Sequence, residues 1–130
     1  MTRITNITAI GLEHHLGIDN AYGMARGMTP VRNMTLIEVE TDTGITGIGE
    51  SWGPCPMVAA SLDVVRPYFL GREIYDREQI VSYFYNQRYH LGIQNTITSA
   101  LSGINIALYD AMGKLHDLPL CKLLGGQSTD

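Results

Sequence analysis

A chain of 130 residues is the size of one ordinary domain, long enough to bury roughly two thirds of the surface its unfolded form exposes. With 45% hydrophobic and 17% charged residues it is too apolar for a disordered segment, so one packed core is expected. The formal charge of -4, with acids and bases interspersed and no basic block, leaves no electrostatic footprint for a phosphate backbone and excludes nucleic acid as an expected partner.

The first residues, MTRITNITAIGLEHH, break their apolar positions with Thr, Asn and Arg. They read as neither a signal peptide nor a spanning helix, and a cytoplasmic protein without a membrane partner is expected. Residues 3–12 (RITNITAIGL), 33–41 (NMTLIEVET) and 45–51 (ITGIGES) are rich in Ile and Thr or similar to such runs, and they predict three strands. Between the second and third lies Asp42-Thr43-Gly44, where Gly44 can take the positive φ that closes a hairpin; these two strands should pair antiparallel. Cys55 and Cys121 are far apart and lack CxxC spacing, so they read as two reduced thiols that pack rather than a disulfide or a zinc site.

After Pro54 the apolar spacing turns helical, with Val58, Leu62, Val65 and Phe69 on one face and Pro67 and Gly71 expected to punctuate the end. Asp76 with Gln79 predicts a variant capping box opening a second helix that runs through Ile80 and Phe84 toward Tyr89. Polar Gln94, Asn95 and Thr96 precede a third helix, whose Ile97, Leu101, Ile104, Leu108, Ala111 and Leu115 step by four, three, four, three and four. On a neighbouring face of it stand Ala100, Gly103 and Ala107, small enough for close approach of a second neighbour. That neighbour is expected to be the sheet, the preceding helices or something outside the chain. Strands followed by helices mean an α+β fold: a three-stranded antiparallel meander with three helices packed on one face.

Residues 107–126 (ALYDAMGKLHDLPLCKLLGG), 40–51 (ETDTGITGIGES) and 69–76 (FLGREIYD) resemble, in order, motifs of the enolase superfamily, in the branch of mandelate racemase and muconate lactonizing enzyme. The resemblance is to the N-terminal capping domain, over residues 1–126. It implies a (β/α)7β barrel beyond this chain, with residues 127–130 as the start of the linker to it. The barrel would bind Mg2+ and supply the catalytic residues, leaving no catalytic or metal residue in this chain. The implied reaction is abstraction of a proton next to a carboxylate, whose enolate needs a metal and hydrogen-bond donors to stabilise it. A cap excludes water and grips the distal part of the substrate. The 130-residue chain alone is then expected to be inactive.

The stretch 13–32 (EHHLGIDNAYGMARGMTPVR) fits no clean periodicity, and a connection this long is expected to be a lid over the substrate; by resemblance it stands where the family has a mobile specificity loop. In it His14 and His15 would point to opposite faces if the strand continues, a poor chelating pair. Tyr22, with area and a polar tip, and Arg26, with two donors for a carboxylate, are the better contacts, and His14 and Met24 complete the candidate set. Trp52, the only Trp, falls in the family's shorter specificity loop; it reads as an apolar wall against ligand or a plug at the domain junction, and either role buries it. Glu50 reads as a structural carboxylate and Asp110 as an architectural contact. Gly47, Gly49 and Gly53 approach a dinucleotide fingerprint, but Trp52 stands where its last Gly should be, and nucleotide binding is rejected. Tyr83, Tyr85 and Tyr89 read as core and surface residues of an amphipathic helix or as an oligomer interface, and a homo-oligomer is expected.

An acid-sugar dehydratase is the leading reading of the polar lid with Arg26 and two His. A sugar-lactone or muconate-type cycloisomerase or a racemase/epimerase follows, all acting on a small-molecule carboxylate. A free-standing, non-catalytic binding module is the alternative of another class.

Overall fold

The computed structural model describes residues 1–92 and 94–126, with Met24 described in its backbone alone. The linker expected over 127–130 lies outside the described residues. Strand β1 (Ile4–His15) is followed by two short strands, β2 (Tyr22–Met24) and β3 (Gly27–Thr29), then by β4 (Val31–Thr41) and β5 (Thr46–Ser51). The helices are α1 (Cys55–Phe69), α2 (Arg77–Gln87), α3 (Thr96–His116) and a single turn, α4 (Leu120–Leu123). β1, β4 and β5 form an antiparallel sheet in that order, the meander expected, with Gly44 at φ 80° in the β4–β5 turn.

Side-chain alternation builds the core. On β4, Thr35, Ile37, Val39 and Thr41 are buried on one face. They meet Val58, Leu62, Val65 and Phe69 of α1 and Leu101, Ile104 and Leu108 of α3, while Ile80 and Phe84 bring α2 into the same cluster. α1 lies on β1, α3 on β5 and β4, and α2 packs against α1 and α3. The cluster is contiguous within the chain, so the chain holds a core of its own.

α3 uses both of its predicted faces inside this domain. The small side crosses β5 where β5 has no side chains: a Cβ added at Gly47 would sit 2.0 Å from the Ala107 carbonyl oxygen, and one at Gly49 would sit 2.1 Å from that of Gly103. Of the neighbours expected for this small face, the structure shows the sheet: the face meets the chain's own edge strand rather than something outside the chain. The Gly-x-Gly resembling a nucleotide motif is a helix seat. Asp110 and Lys114, one helical turn apart, serve the free edge of β5. Asp110 Oδ2 accepts from the Ile48 backbone N–H at 2.8 Å and from Lys114 Nζ at 2.7 Å, and Lys114 also donates to the Thr46 carbonyl at 2.8 Å. Asp110 is architectural, as expected, but toward its own sheet rather than a second domain.

Two local expectations change in detail. Pro67 sits inside the last turn of α1, which continues to Phe69; Gly71, at φ 76°, makes the turn beyond it. Asp76 occupies the N-cap position of α2 without a capping bond. Both members of the expected capping box turn instead to Arg72, whose Nε lies 3.4 Å from Asp76 Oδ2 and whose Nη2 donates to Gln79 Oε1 at 2.8 Å. A guanidinium is a stronger donor than a neutral backbone N–H and takes both side chains. Asn95 does cap α3, its Oδ1 accepting from the N–H groups of Ile97 at 2.9 Å and Thr98 at 3.2 Å.

Candidate functional site at one end of the sheet

The segment 13–32 is not an irregular loop. β1 runs on through Glu13, His14 and His15, paired with Asn33, Arg32 and Val31, and Leu16 N–H donates to the Pro30 carbonyl at 2.8 Å. β2 and β3 form a small hairpin at the tip, pairing Tyr22 with Thr29 and Met24 with Gly27. The result is a two-stranded arm. Because β5 ends at Ser51 opposite Thr35, which faces Gly11, the arm projects four residue pairs beyond it, about 14 Å at the usual strand rise. The Ser51-Trp52-Gly53-Pro54 turn leaves β5 at this same end. Both expected specificity segments thus emerge side by side.

On the arm, alternation places Ile10, Leu12 and His14 on the face away from the helices, paired with Leu36, Met34 and Arg32. His14 and His15 point to opposite faces, and His15 Nε2 lies 2.7 Å from Glu13 Oε1. Tyr22 folds back so that the Arg32 guanidinium carbon lies 4.3 Å from its ring centroid. Among the described residues no carboxylate pairs with Arg32, so its planar fork of donors is oriented by stacking and open to an anion. His14 and Tyr22 are brought together through Arg32, a residue that the sequence reading treated only as the end of a loop. Its signal was available in the alternation: if β1 and β4 pair through the arm, Arg32 stands across from His14. Arg26 lies in the exposed turn of the β2–β3 hairpin, the opposite end of the short ladder from Tyr22. The Met24 side chain lies outside the described residues.

Trp52 is 87% exposed. Both roles foreseen for it require burial, and none of the described residues provides it. A shallow cleft beside it is lined by Glu50, Asn95, Ser99 and Ser102. Glu50 is exposed and makes no ion pair or hydrogen bond among the described residues, so within this chain it is not the structural strut expected. Cys55 is half-buried and free, and Cys121 is exposed and free, so only the first of the two thiols packs. Tyr85 is half-buried against Phe84 and donates to Thr98 Oγ1, while Tyr83 and Tyr89 are exposed. Among the described residues no three His, Cys, Asp or Glu side chains gather in a way that could hold a metal ion. None of the described helices is long and apolar enough to cross a membrane.

A three-stranded antiparallel sheet with helices on one face, and an arm and a turn leaving it at one end, is the architecture of the enolase N-terminal capping domain. The chain belongs to the family of the mandelate racemase / muconate lactonizing enzyme N-terminal domain, which it matches over residues 7–125. It is 34% identical over 125 residues to a D-galactarolactone cycloisomerase of Agrobacterium fabrum, covering 96% of this chain and 32% of that protein. It is 39% identical over 104 residues to a D-mannonate dehydratase of Rhizorhabdus wittichii, covering 78% and 26%. The solved 3,6-anhydro-D-galactonate cycloisomerase of Zobellia galactanivorans superposes with a TM-score of 0.80 at 27% identity, covering 98% of this chain and 33% of that one. The chain spans about a third or less of the length of these relatives.

Proposed function

We propose that this chain is the substrate-capping and specificity domain of a Mg2+-dependent enzyme that abstracts a proton α to a carboxylate, and that the enzyme is an acid-sugar dehydratase. The observation that carries this reading is the convergence, at one end of the sheet, of the arm bearing His14, Arg32, Tyr22 and Arg26 with the exposed Trp52 turn. Acid-sugar dehydratases recur among the relatives. The metal belongs to a barrel beyond this chain; the chain's own described residues do not gather the oxygen ligands that Mg2+ takes in a near-ideal octahedron.

What this chain contributes is orientation and dryness. Arg32, its guanidinium carbon over the Tyr22 ring, offers two donors to a carboxylate or a pair of hydroxyl oxygens on the distal part of the substrate. Arg26 on the tip and Trp52 on the turn close over the remaining polar and apolar surface; the expected role of Met24 rests on a side chain outside the described residues. Excluding water there strengthens each interaction at the reacting carbon, and distal binding is spent on alignment. The chain alone is proposed to turn nothing over. The enzyme is read as cytoplasmic and homo-oligomeric, with exposed Tyr83 and Tyr89 available to a subunit contact.

A second reading, a sugar-lactone cycloisomerase, is favoured by the 34% identity that extends over 96% of the chain. A product assay on the full-length protein separates the two. With Mg2+ and a panel of aldonic and aldaric acids, the dehydratase reading predicts a 2-keto-3-deoxy acid, detected by semicarbazide absorbance and abolished by EDTA. Isomerisation of a lactone with no keto acid formed would replace it with the second reading, and inertness toward both panels would contradict both.

A further inference from the structure

The turn that carries Trp52 is fastened from below by three hydroxyl side chains. Thr35, fully buried on the core face of β4 where Ile37 and Val39 follow it, donates through Oγ1 to the Gly53 carbonyl at 2.9 Å. Ser99, on the first turn of α3, donates through Oγ to the Trp52 carbonyl. That uses its only proton, so the 3.1 Å contact between Ser99 Oγ and Ser51 Oγ is a bond donated by Ser51, itself 2% exposed. Two successive carbonyls are thus held from separate sides, that of Gly53 by Thr35 and that of Trp52 by Ser99 with Ser51 donating to it from behind. Gly53 supplies the positive φ of 124° that the turn takes, and Pro54, the N-cap of α1, fixes its own φ.

A valine would fill the volume of Thr35 without a buried polar atom, and burying a hydroxyl is favourable only if it is bonded. Here the bond goes to a turn that contributes nothing apolar to the core: its one large side chain points outward, 87% exposed. The fastening therefore serves the direction of the indole rather than the packing of the domain. We infer that Thr35, Ser51 and Ser99 are positioning residues that hold the Trp52 backbone rigid, so that its indole is presented as a wall from a fixed point at the end of the sheet from which the arm projects. The use of that wall by a carboxylate substrate rests on the functional reading above; the fastening itself does not.

The test is 15N relaxation on this chain. The Trp52 and Gly53 amides should have order parameters of about 0.85, as in regular structure, and should fall toward roughly 0.6 or below in Ser99→Ala and further in Ser99→Ala with Thr35→Val. Core amides of β4 and α3 should keep their values, and Ser99→Thr should restore the turn. Thr35→Val conserves volume and Ser99 is half-buried, so each single variant retains the core and can be read separately. Unchanged order parameters in the single and double variants, or a turn already below about 0.6 in the parent chain, would overturn the inference. In the full-length protein, Trp52→Ala raising KM for the acid substrate supports the wall. An unchanged KM together with a rigid turn would refute the wall and leave the fastening standing.

Discussion

Replacing Gly49 with Ala, the addition of one methyl group, should destabilise this chain by about 3 kcal/mol or more, at the upper end of what overpacking costs. The added carbon would lie 2.1 Å from the Gly103 carbonyl oxygen and 2.7 Å from the Ala107 nitrogen, both backbone atoms of α3 that no rotamer change can move. α3 would have to lift off β5, loosening Ile104 and Leu108 from the core and lengthening the bonds from Asp110 and Lys114 to the strand edge. For a domain of this size that is a fall of roughly ten degrees or more in Tm, and a large share of a total stability on the order of 5–15 kcal/mol. Ile48→Ala, the adjacent residue on the opposite, exposed face, should change stability by no more than about 0.5 kcal/mol. Thermal denaturation followed by circular dichroism compares the two. A Gly49→Ala variant as stable as the parent would mean that α3 does not cross the strand here.

The second large effect is expected on activity with stability spared. Leu16 and Pro30 already close the arm through a backbone bond, so residues 17–29 can be exchanged for a two-residue Asn-Gly turn, the loop that best matches strand twist. The excised segment contributes no residue to the core cluster, and the Tm of this chain should shift by only a few degrees. The change removes Tyr22, Met24 and Arg26 together and frees Arg32 from the ring that orients it. In the full-length enzyme kcat/KM should fall about a hundredfold or more, the scale seen when substrate positioning is lost. An unchanged kcat/KM would show that the arm covers nothing.

The parts of this fold that could be read from the sequence are those whose pattern is imposed by a core. β4 alternates because one face is buried, and α3 steps by three and four because it is pressed between the sheet and two helices. The arm defeated the same reading because neither of its faces is buried: without a core to select apolar residues at every second position, Glu13, His14 and His15 carry no strand signature. The Asp76 cap was misread because capping competes with longer-range partners, and Arg72 is visible as a competitor only once the turn at Gly71 brings it round. Gly47 and Gly49 were noticed for the wrong reason. Trp52 in place of the last Gly speaks against a phosphate loop, but the helix seat becomes visible only with the small residues Gly103 and Ala107 opposite them. Of the candidate site, the type of segment was legible and the grouping was not: Arg32 joins His14 and Tyr22 through cross-strand register, which a list of loop residues does not contain.

If this domain closes over a substrate losing a proton next to its carboxylate, as proposed, that proton exchanges for deuterium in D2O, which NMR follows with the full-length protein and a panel of acid sugars. Exchange is expected at the α-carbon of at least one polyhydroxy acid, abolished by chelation and strongly slowed when the arm is replaced by the Asn-Gly turn. A folded, Mg2+-loaded full-length protein that exchanges no α-proton across that panel, or that exchanges it equally fast without the arm, would contradict it.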